Sequence, residues 1–130
     1  MNTKLIMSAT AILFAVIGLS LTFAPDNVMH AIGIDSSIPV RLLFQLLGAA
    51  YYAFAMLNWM AKGALIGGIY NRPIAVANVA HFLVGGLALT KAAFSHDQLP
   101  LIISVLAGFY MVAAVVFYIV MSTHPLPKTA

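Results

Sequence analysis

Long apolar runs separated by short polar segments dominate the hydrophobic pattern of this chain. Because a helix needs roughly 20 apolar residues to cross the hydrocarbon core of a bilayer, four of these runs predict membrane-spanning helices. We place them at about residues 5–23, 40–61, 74–93 and 100–121 and call them predicted spans 1 to 4. The pattern therefore predicts an all-α membrane protein, a four-transmembrane-helix bundle that forms a single domain over residues 1–130.

The beginning of span 1 has some features of a secretory signal, because Lys4 precedes an apolar run that ends at Ala24. Pro25 would directly follow a cleavage after Ala24, and proline is a poor residue at that position. The run is also long enough to cross a membrane, so we expect span 1 to be retained as a helix.

Two short signals lie between spans 1 and 2. Residues 26–32 predict a short helix lying in the membrane interface, with Gly33 as its stop. Ser36 and Ser37 followed by Pro39 predict the start of span 2, because a serine hydroxyl can cap a free N–H and proline suits the first helical turn.

Polar and small residues fall on one face of span 3. At about 100° per residue, five residues share an arc about 80° wide: Asn71, Ile74, Asn78, His81 and Gly85. Because acyl chains offer no hydrogen-bond partners, we expect this stripe to face protein and not lipid.

Span 2 carries more polar side chains than the other spans. Pairing it antiparallel with span 3 by depth places His81 near Tyr51 and Tyr52. We therefore predict a polar seam between spans 2 and 3, extended by Arg41, with six ligand-binding candidates: Gln45, Tyr51, Tyr52, Asn58, Asn78 and His81. The simpler interpretation is that these groups hydrogen-bond between helices, where each bond contributes about 0.6 kcal/mol.

Three glycines within the spans predict close helix packing. Small residues let two helix backbones approach, and this drives helix association in lipid. The three are Gly48, Gly85 and Gly86. Span 4, in contrast, is an aliphatic run with few interruptions, namely Ser104, Gly108, Tyr110 and Tyr118.

Composition supports the membrane assignment and excludes several function classes. The chain is 63% hydrophobic and 7% charged, with a mean hydropathy of +1.04, whereas soluble domains are about 25% charged. The net charge of +3 comes from single basic residues scattered along the chain, so we expect no binding to nucleic acid. Cysteine is absent, which excludes disulfides, thiolate metal sites and dithiol redox chemistry.

The ionisable residues assign neither a catalytic residue nor a metal site. No Asp or Glu falls within a predicted span, so a carboxylate proton relay lacks its usual groups. The four histidines fall at different depths, which disfavours a shared metal or a bis-histidine haem: His30, His81, His96 and His124. An outer site combining His30 and His96 with nearby aspartates matches no ligand motif.

Basic residues predict the orientation of the chain. With four spans, one side of the membrane would hold both termini and the connector between spans 2 and 3, and that side carries Lys4, Lys62, Arg72 and Lys128. The other side would carry all three acids and two basic residues: Asp26, Asp35, Asp97, Arg41 and Lys91. The positive-inside rule therefore predicts that both termini are cytoplasmic.

Three segments resemble a known family in their layout. Phe23-Ala24-Pro25 ends span 1, Gly33-Ile34 closes the short helix, and residues 41–52 read RLLFQLLGAAYY. This layout resembles small bacterial four-helix membrane proteins of the DoxX-like group. The resemblance implies the fold and a bacterial cytoplasmic membrane, and some members are implied to be membrane subunits of quinone-linked oxidoreductases. It carries over no catalytic residue.

Three functional hypotheses follow from these patterns. The first is a binding protein that holds a lipid-like or quinone-like amphiphile, or another membrane protein, along the polar seam. The second is a membrane subunit of a quinone-linked oxidoreductase, in which His81 would hydrogen-bond or protonate a quinone supplied with a partner's redox centre. The third is a structural protein that forms homo-oligomers through its glycines and binds no ligand. The expected partners are membrane lipids, with a homo-oligomer or a membrane protein as further possible partners.

Overall fold

Four long helices and one short helix make up the described part of the chain. The structure, a computed structural model, describes residues 2–64, 71–96 and 99–122. The helices are α1 (Thr3–Phe23), α2 (Pro25–Ala31), α3 (Ile38–Ala61), α4 (Arg72–Ser95) and α5 (Leu101–Ser122). The four long ones are each long and apolar enough to cross a membrane, which confirms the four predicted spans. Several residues used above lie outside the described residues: Asp97, His124 and Lys128.

Helix starts follow the proline positions. A proline occupies the first or second position of three helices, where its missing N–H removes no helical hydrogen bond: Pro25 in α2, Pro39 in α3 and Pro73 in α4. The serine cap predicted for α3 is wrong, because Ser37 precedes the helix without a side-chain capping bond. The Ser36 hydroxyl donates instead to Asp26 Oδ1 at 2.6 Å, since a charged carboxylate is the stronger acceptor.

A Schellman motif ends α2 at the predicted stop. Gly33 has a φ of +74°, in the left-handed region that favours glycine. The Ile34 N–H donates to the Met29 carbonyl at 2.9 Å, and the Gly33 N–H donates to the His30 carbonyl at 3.2 Å. The turn after α2 is therefore set by local backbone bonds.

Contacts divide the chain into two compact units, Met1–Gly63 and Ala64–Ala130, called the first and second unit below. In the first unit α1 packs along α3, and α2 contacts both helices. In the second unit α4 packs along α5. The core of the first unit includes Phe14 and Met29, and the core of the second includes Phe82 and Phe117. The single domain proposed for the whole chain stays a prediction.

The outward faces of the long helices are apolar. Leu46 on α3 is 68% exposed, Val84 on α4 is 67% exposed and Val112 on α5 is 64% exposed. Water would penalise so many exposed aliphatic side chains, whereas acyl chains would not. The surface therefore agrees with helix length in indicating an integral membrane protein.

Candidate functional site

Two glycines set the distance between α1 and α3. A Cβ built on Gly18 would lie 2.8 Å from the Gly48 carbonyl oxygen and 2.8 Å from the Tyr52 nitrogen. A Cβ built on Gly48 would in turn lie 2.8 Å from the Gly18 carbonyl oxygen. Only glycine allows two backbones to approach this closely. Gly48 therefore packs against a helix of its own unit.

Two polar residues of α3, Gln45 and Tyr51, contact α1. The Gln45 amide donates to the Thr22 carbonyl at 3.4 Å, and the Tyr51 ring lies edge-on to Phe14 with centroids 5.4 Å apart. Asn58 is fully buried. Every buried side-chain nitrogen and oxygen in the described part of the chain has a hydrogen-bond partner. Gln45 and Tyr51 therefore contribute to the packing of α3 against α1.

An open groove of about 300 Å³ runs between α1 and α3. Most of the lining side chains are small or apolar, and two are amphipathic aromatic side chains. The lining residues are Ala11, Ile12, Ala15, Tyr52, Ala55, Met56 and Trp59. Tyr52 is 44% exposed and Trp59 is 47% exposed, so both rings are accessible from outside. Alanines on both helices leave the space that the groove occupies.

A lysine lies at one end of this groove. The Lys62 ammonium lies over the Trp59 ring, 2.8 Å from its centroid, in a cation–π arrangement. Lys62 immediately follows the last residue of α3, and Trp59 is three residues earlier. Tryptophan and lysine are the residues that anchor helix ends at membrane interfaces. This end of the groove therefore has the chemistry of a headgroup region.

A polar corner formed by Asp26, Ser36 and Arg41 ties α2 to α3. Arg41 Nη2 lies 3.0 Å from Asp26 Oδ1, and Arg41 Nε donates to the same oxygen at 3.1 Å. The hydrogen bond from Ser36, followed by the positive charge of Arg41, lowers the pKa of Asp26 from its ordinary value of 3.8. Because both charged side chains are about half exposed, this ion pair contributes little to stability.

An open polar recess of about 480 Å³ lies beside that corner. It is lined by the three residues of the polar corner and, among others, by His30 and Asp35. The Arg41 guanidinium and the Asp26 carboxylate in this lining are already paired with each other. Within the described ranges, no three His, Cys, Asp or Glu side chains are grouped so as to hold a metal ion. The recess therefore offers a solvated surface and no built site.

The second unit places His81 in an aromatic cluster between α4 and α5. His81 Nε2 lies 3.3 Å from the Tyr110 hydroxyl, and the two ring centroids are 5.5 Å apart. Phe82 packs against Tyr110 at 5.2 Å and stacks on Phe117 at 5.5 Å. Phe109 completes the cluster, with its ring 6.2 Å from that of Phe82. The imidazole therefore has a phenol partner within its own unit.

The remaining candidates of α4 also face α5 or their own helix. The fully buried Asn78 donates to the Ile74 carbonyl at 2.9 Å. A Cβ built on Gly85 would lie 2.9 Å from the Tyr110 ring, and one on Gly86 would lie 2.9 Å from the Met111 sulfur. The two glycines thus admit the large side chains of α5.

The structure distributes the six ligand-binding candidates over both units. Gln45, Tyr51, Tyr52 and Asn58 belong to the first unit, and Asn78 and His81 belong to the second. Tyr52 lines the groove, and the contacts described above join Gln45 and Tyr51 to α1 and join His81 to α5. The polar seam between spans 2 and 3 stays a prediction.

Three important residues were not identified as such from the sequence: Gly18, Trp59 and Tyr110. Gly18 was visible as a small residue in a bulky helix, but nothing in the pattern identified Gly48 as its partner. The Gly85-Gly86 pair predicted a closely packed neighbouring helix, and the atoms that lie against Gly85 belong to the Tyr110 side chain. A tryptophan near the end of a span is typical of an interfacial anchor, so the sequence pattern alone does not indicate that Trp59 lines a groove.

No protein-family model, curated protein or solved structure matches this chain. The DoxX-like resemblance therefore stays a prediction.

Proposed function

We propose that this integral membrane protein binds a lipid-like or quinone-like amphiphile in the groove between α1 and α3. The observation that carries the proposal is an apolar groove of about 300 Å³ with Tyr52 and Trp59 in its lining. Small-molecule sites are concave and mostly apolar, with a few polar groups that fix orientation, and their volumes start at about 300 Å³. The groove would hold one chain of an amphiphile.

Exposure supports the choice of this groove over the other candidates. Tyr52 and Trp59 are about half exposed, so an amphiphile can reach them from the membrane. Tyr51 is instead packed on Phe14, and the Gln45 amide is bonded to the backbone of α1. An amphiphile would have to break those contacts to bind there.

The proposed orientation places the lysine end of the first unit in the cytoplasm, as the positive-inside rule favours. Lys4 lies at the start of α1 and Lys62 directly follows the end of α3. Asp26 and Asp35 lie in the segment that connects the end of α1 to the start of α3. We also propose, from the DoxX-like resemblance, that the membrane is a bacterial cytoplasmic membrane with both termini inside. Fusing a periplasm-sensitive reporter to either terminus would test this.

Binding can be tested with a substitution that fills the groove. Ala15 lines the groove and is half-buried, so Ala15→Phe should block it. Ala53→Phe introduces the same ring at an exposed position of α3 outside the groove and is the matched control. The probe is a photoactivatable diazirine fatty acid, with the labelled residues mapped by mass spectrometry.

We expect labels at Met56 and Tyr52 that Ala15→Phe strongly reduces and Ala53→Phe leaves in place. Circular dichroism of both variants is the control for folding, and both should keep the helical content of the unmodified protein. Equal labelling of groove and outward faces, unaffected by Ala15→Phe, would remove the proposal.

A quinone-linked oxidoreductase subunit is the second candidate, favoured by the His81–Tyr110 pair at membrane depth. A histidine bonded to a phenol can exchange a proton with a quinone headgroup. Quinone retention that is lost in His81→Leu and unchanged in Ala15→Phe would favour this candidate over the groove.

Oligomerisation through the glycines is less favoured than either binding hypothesis. Gly48 packs against Gly18, and Gly85 and Gly86 pack against α5 of the same chain. These surfaces are therefore already occupied by intrachain contacts.

A further inference from the structure

The contacts in the first unit show that α1 and α3 run antiparallel. Thr22 near the end of α1 meets Gln45 near the start of α3, whereas Phe14 meets Tyr51 farther along. Ala11, earlier still in α1, lines the groove together with Ala55. The start of α1 and the end of α3 therefore lie at the same end of the first unit.

That shared end is positively charged. Lys4 precedes Ala11 by seven residues, and Lys62 follows Ala55 by seven residues, so each lysine lies about 10 Å along its helix from the groove alanines. The two acids among residues 2–64, Asp26 and Asp35, lie at the opposite end, beside the connection between α1 and α3. The lysine end thus has two positive charges and no acid of its own unit to neutralise them.

Measured from Lys62, the groove is short enough to fit within one leaflet. It extends along α3 from Tyr52 to Trp59, and Tyr52 is ten residues before Lys62, a distance of about 15 Å along the helix. This is half of the roughly 30 Å thickness of a hydrocarbon core. A molecule with its head at Lys62 would therefore place its acyl chain along the groove without crossing the membrane midplane.

From this charge and depth we propose that the occupant of the groove is an anionic phospholipid of the leaflet on the lysine side. One acyl chain lies between the alanines of α1 and α3, and the phosphate group lies between Lys62 and Lys4. The Trp59 ring holds the Lys62 ammonium at the end of the groove, and the N–H groups turned away from the ring are directed to the phosphate. This inference rests on the proposed function and specifies its ligand class.

The single tryptophan of the chain makes a direct test available. Trp59 is the only tryptophan and lines the groove, so its fluorescence reports what occupies that space. The probes are phosphatidylglycerol and phosphatidylcholine with brominated acyl chains, because bromine quenches tryptophan fluorescence on contact. The protein is reconstituted in vesicles in which each brominated lipid competes with non-brominated phosphatidylcholine, and the ratio of the two relative affinities is measured.

We expect phosphatidylglycerol to be preferred, and we expect Lys62→Gln to lower the preference about fivefold, since a lysine near an anionic surface contributes roughly 1 kcal/mol. Lys62→Arg keeps the charge and should keep the preference. Lys91→Gln removes an exposed lysine on α4 and is the matched control. Because the ratio compares two lipids on one variant, a changed Trp59 environment cancels.

The outcomes separate this inference from the proposed function. Equal affinities for the two lipids, with quenching of both reduced by Ala15→Phe, would overturn the anionic ligand and leave the groove as a binding site. A loss of preference in Lys91→Gln as large as that in Lys62→Gln would also overturn it. Quenching that Ala15→Phe does not change for either lipid would overturn the proposed function itself.

Discussion

Replacing Gly48 with alanine tests whether α1 and α3 are held at a separation that only glycine permits. The added Cβ would lie 2.8 Å from two backbone atoms of α1, the Gly18 oxygen and the Thr22 nitrogen, whereas ordinary contact begins at 3.4 Å. It would also meet the Thr22 hydroxyl oxygen. Backbone atoms cannot rotate away, so the helices would have to separate by roughly 0.6 Å. A radial gap of that size already forfeits a quarter to a half of each dispersion contact.

The magnitude follows from two opposing effects. Overpacking a close contact costs about 1–3 kcal/mol, and alanine gains about 1 kcal/mol over glycine in a helix interior. Gly108→Ala is the matched control, because a Cβ at Gly108 in α5 meets nothing within 4 Å. Since the propensity gain is common to both variants, their unfolding free energies should differ by the steric cost alone, about 1–3 kcal/mol.

The assay is a reversible unfolding titration in mixed micelles of mild detergent and sodium dodecyl sulfate, followed by far-ultraviolet circular dichroism. We expect Gly48→Ala to be less stable than Gly108→Ala. If the two variants agree to within about 0.5 kcal/mol, the close approach of α1 and α3 at Gly18 and Gly48 does not limit their packing, and the reasoning is refuted.

Two further predictions concern polar contacts. Tyr110→Phe removes the hydroxyl that lies 3.3 Å from His81 Nε2 and keeps the ring. The same titration should show that the free energy of unfolding falls by about 0.6 kcal/mol and by no more than about 1.7 kcal/mol. A larger decrease would contradict the assignment of a single interhelical hydrogen bond to this hydroxyl. The Ser36 hydroxyl and then the Arg41 charge lower the pKa of Asp26, so their stabilising effect is present above the ordinary pKa of 3.8 and is lost as the pH falls through the lower folded value. A spin label on α2 should therefore gain mobility only below pH 3.8, and a gain near neutral pH would contradict the assignment.

Local patterns predicted much of the fold but not the partners of the polar residues. The stripe through Asn78 and His81 was visible because helical periodicity places every third or fourth residue on one face. That periodicity does not state which helix the face meets. Nothing in the sequence distinguished Tyr110 from Tyr118, the other phenol of α5, as the partner of His81 in the second unit.

The groove was beyond prediction for a related reason. It exists because Ala11 and Ala15 on one helix oppose Ala55 on another. Alanine in a single helix indicates only good helix propensity. A vacant volume appears when the small residues of two helices come into register, and register depends on contacts between residues far apart in sequence.

By itself, the sequence determined the four membrane-spanning helices, the proline-marked helix starts and the stop at Gly33. Each of these depends on residues that are close together in the chain: an apolar run, a proline ring that fixes φ, or a glycine that tolerates a positive φ. Only the tertiary structure decided that Gly18 meets Gly48, that His81 meets Tyr110, and that a groove opens beside Trp59. In lipid, apolar surface provides no preference for one helix partner over another, so shape and hydrogen bonding between helices make that choice.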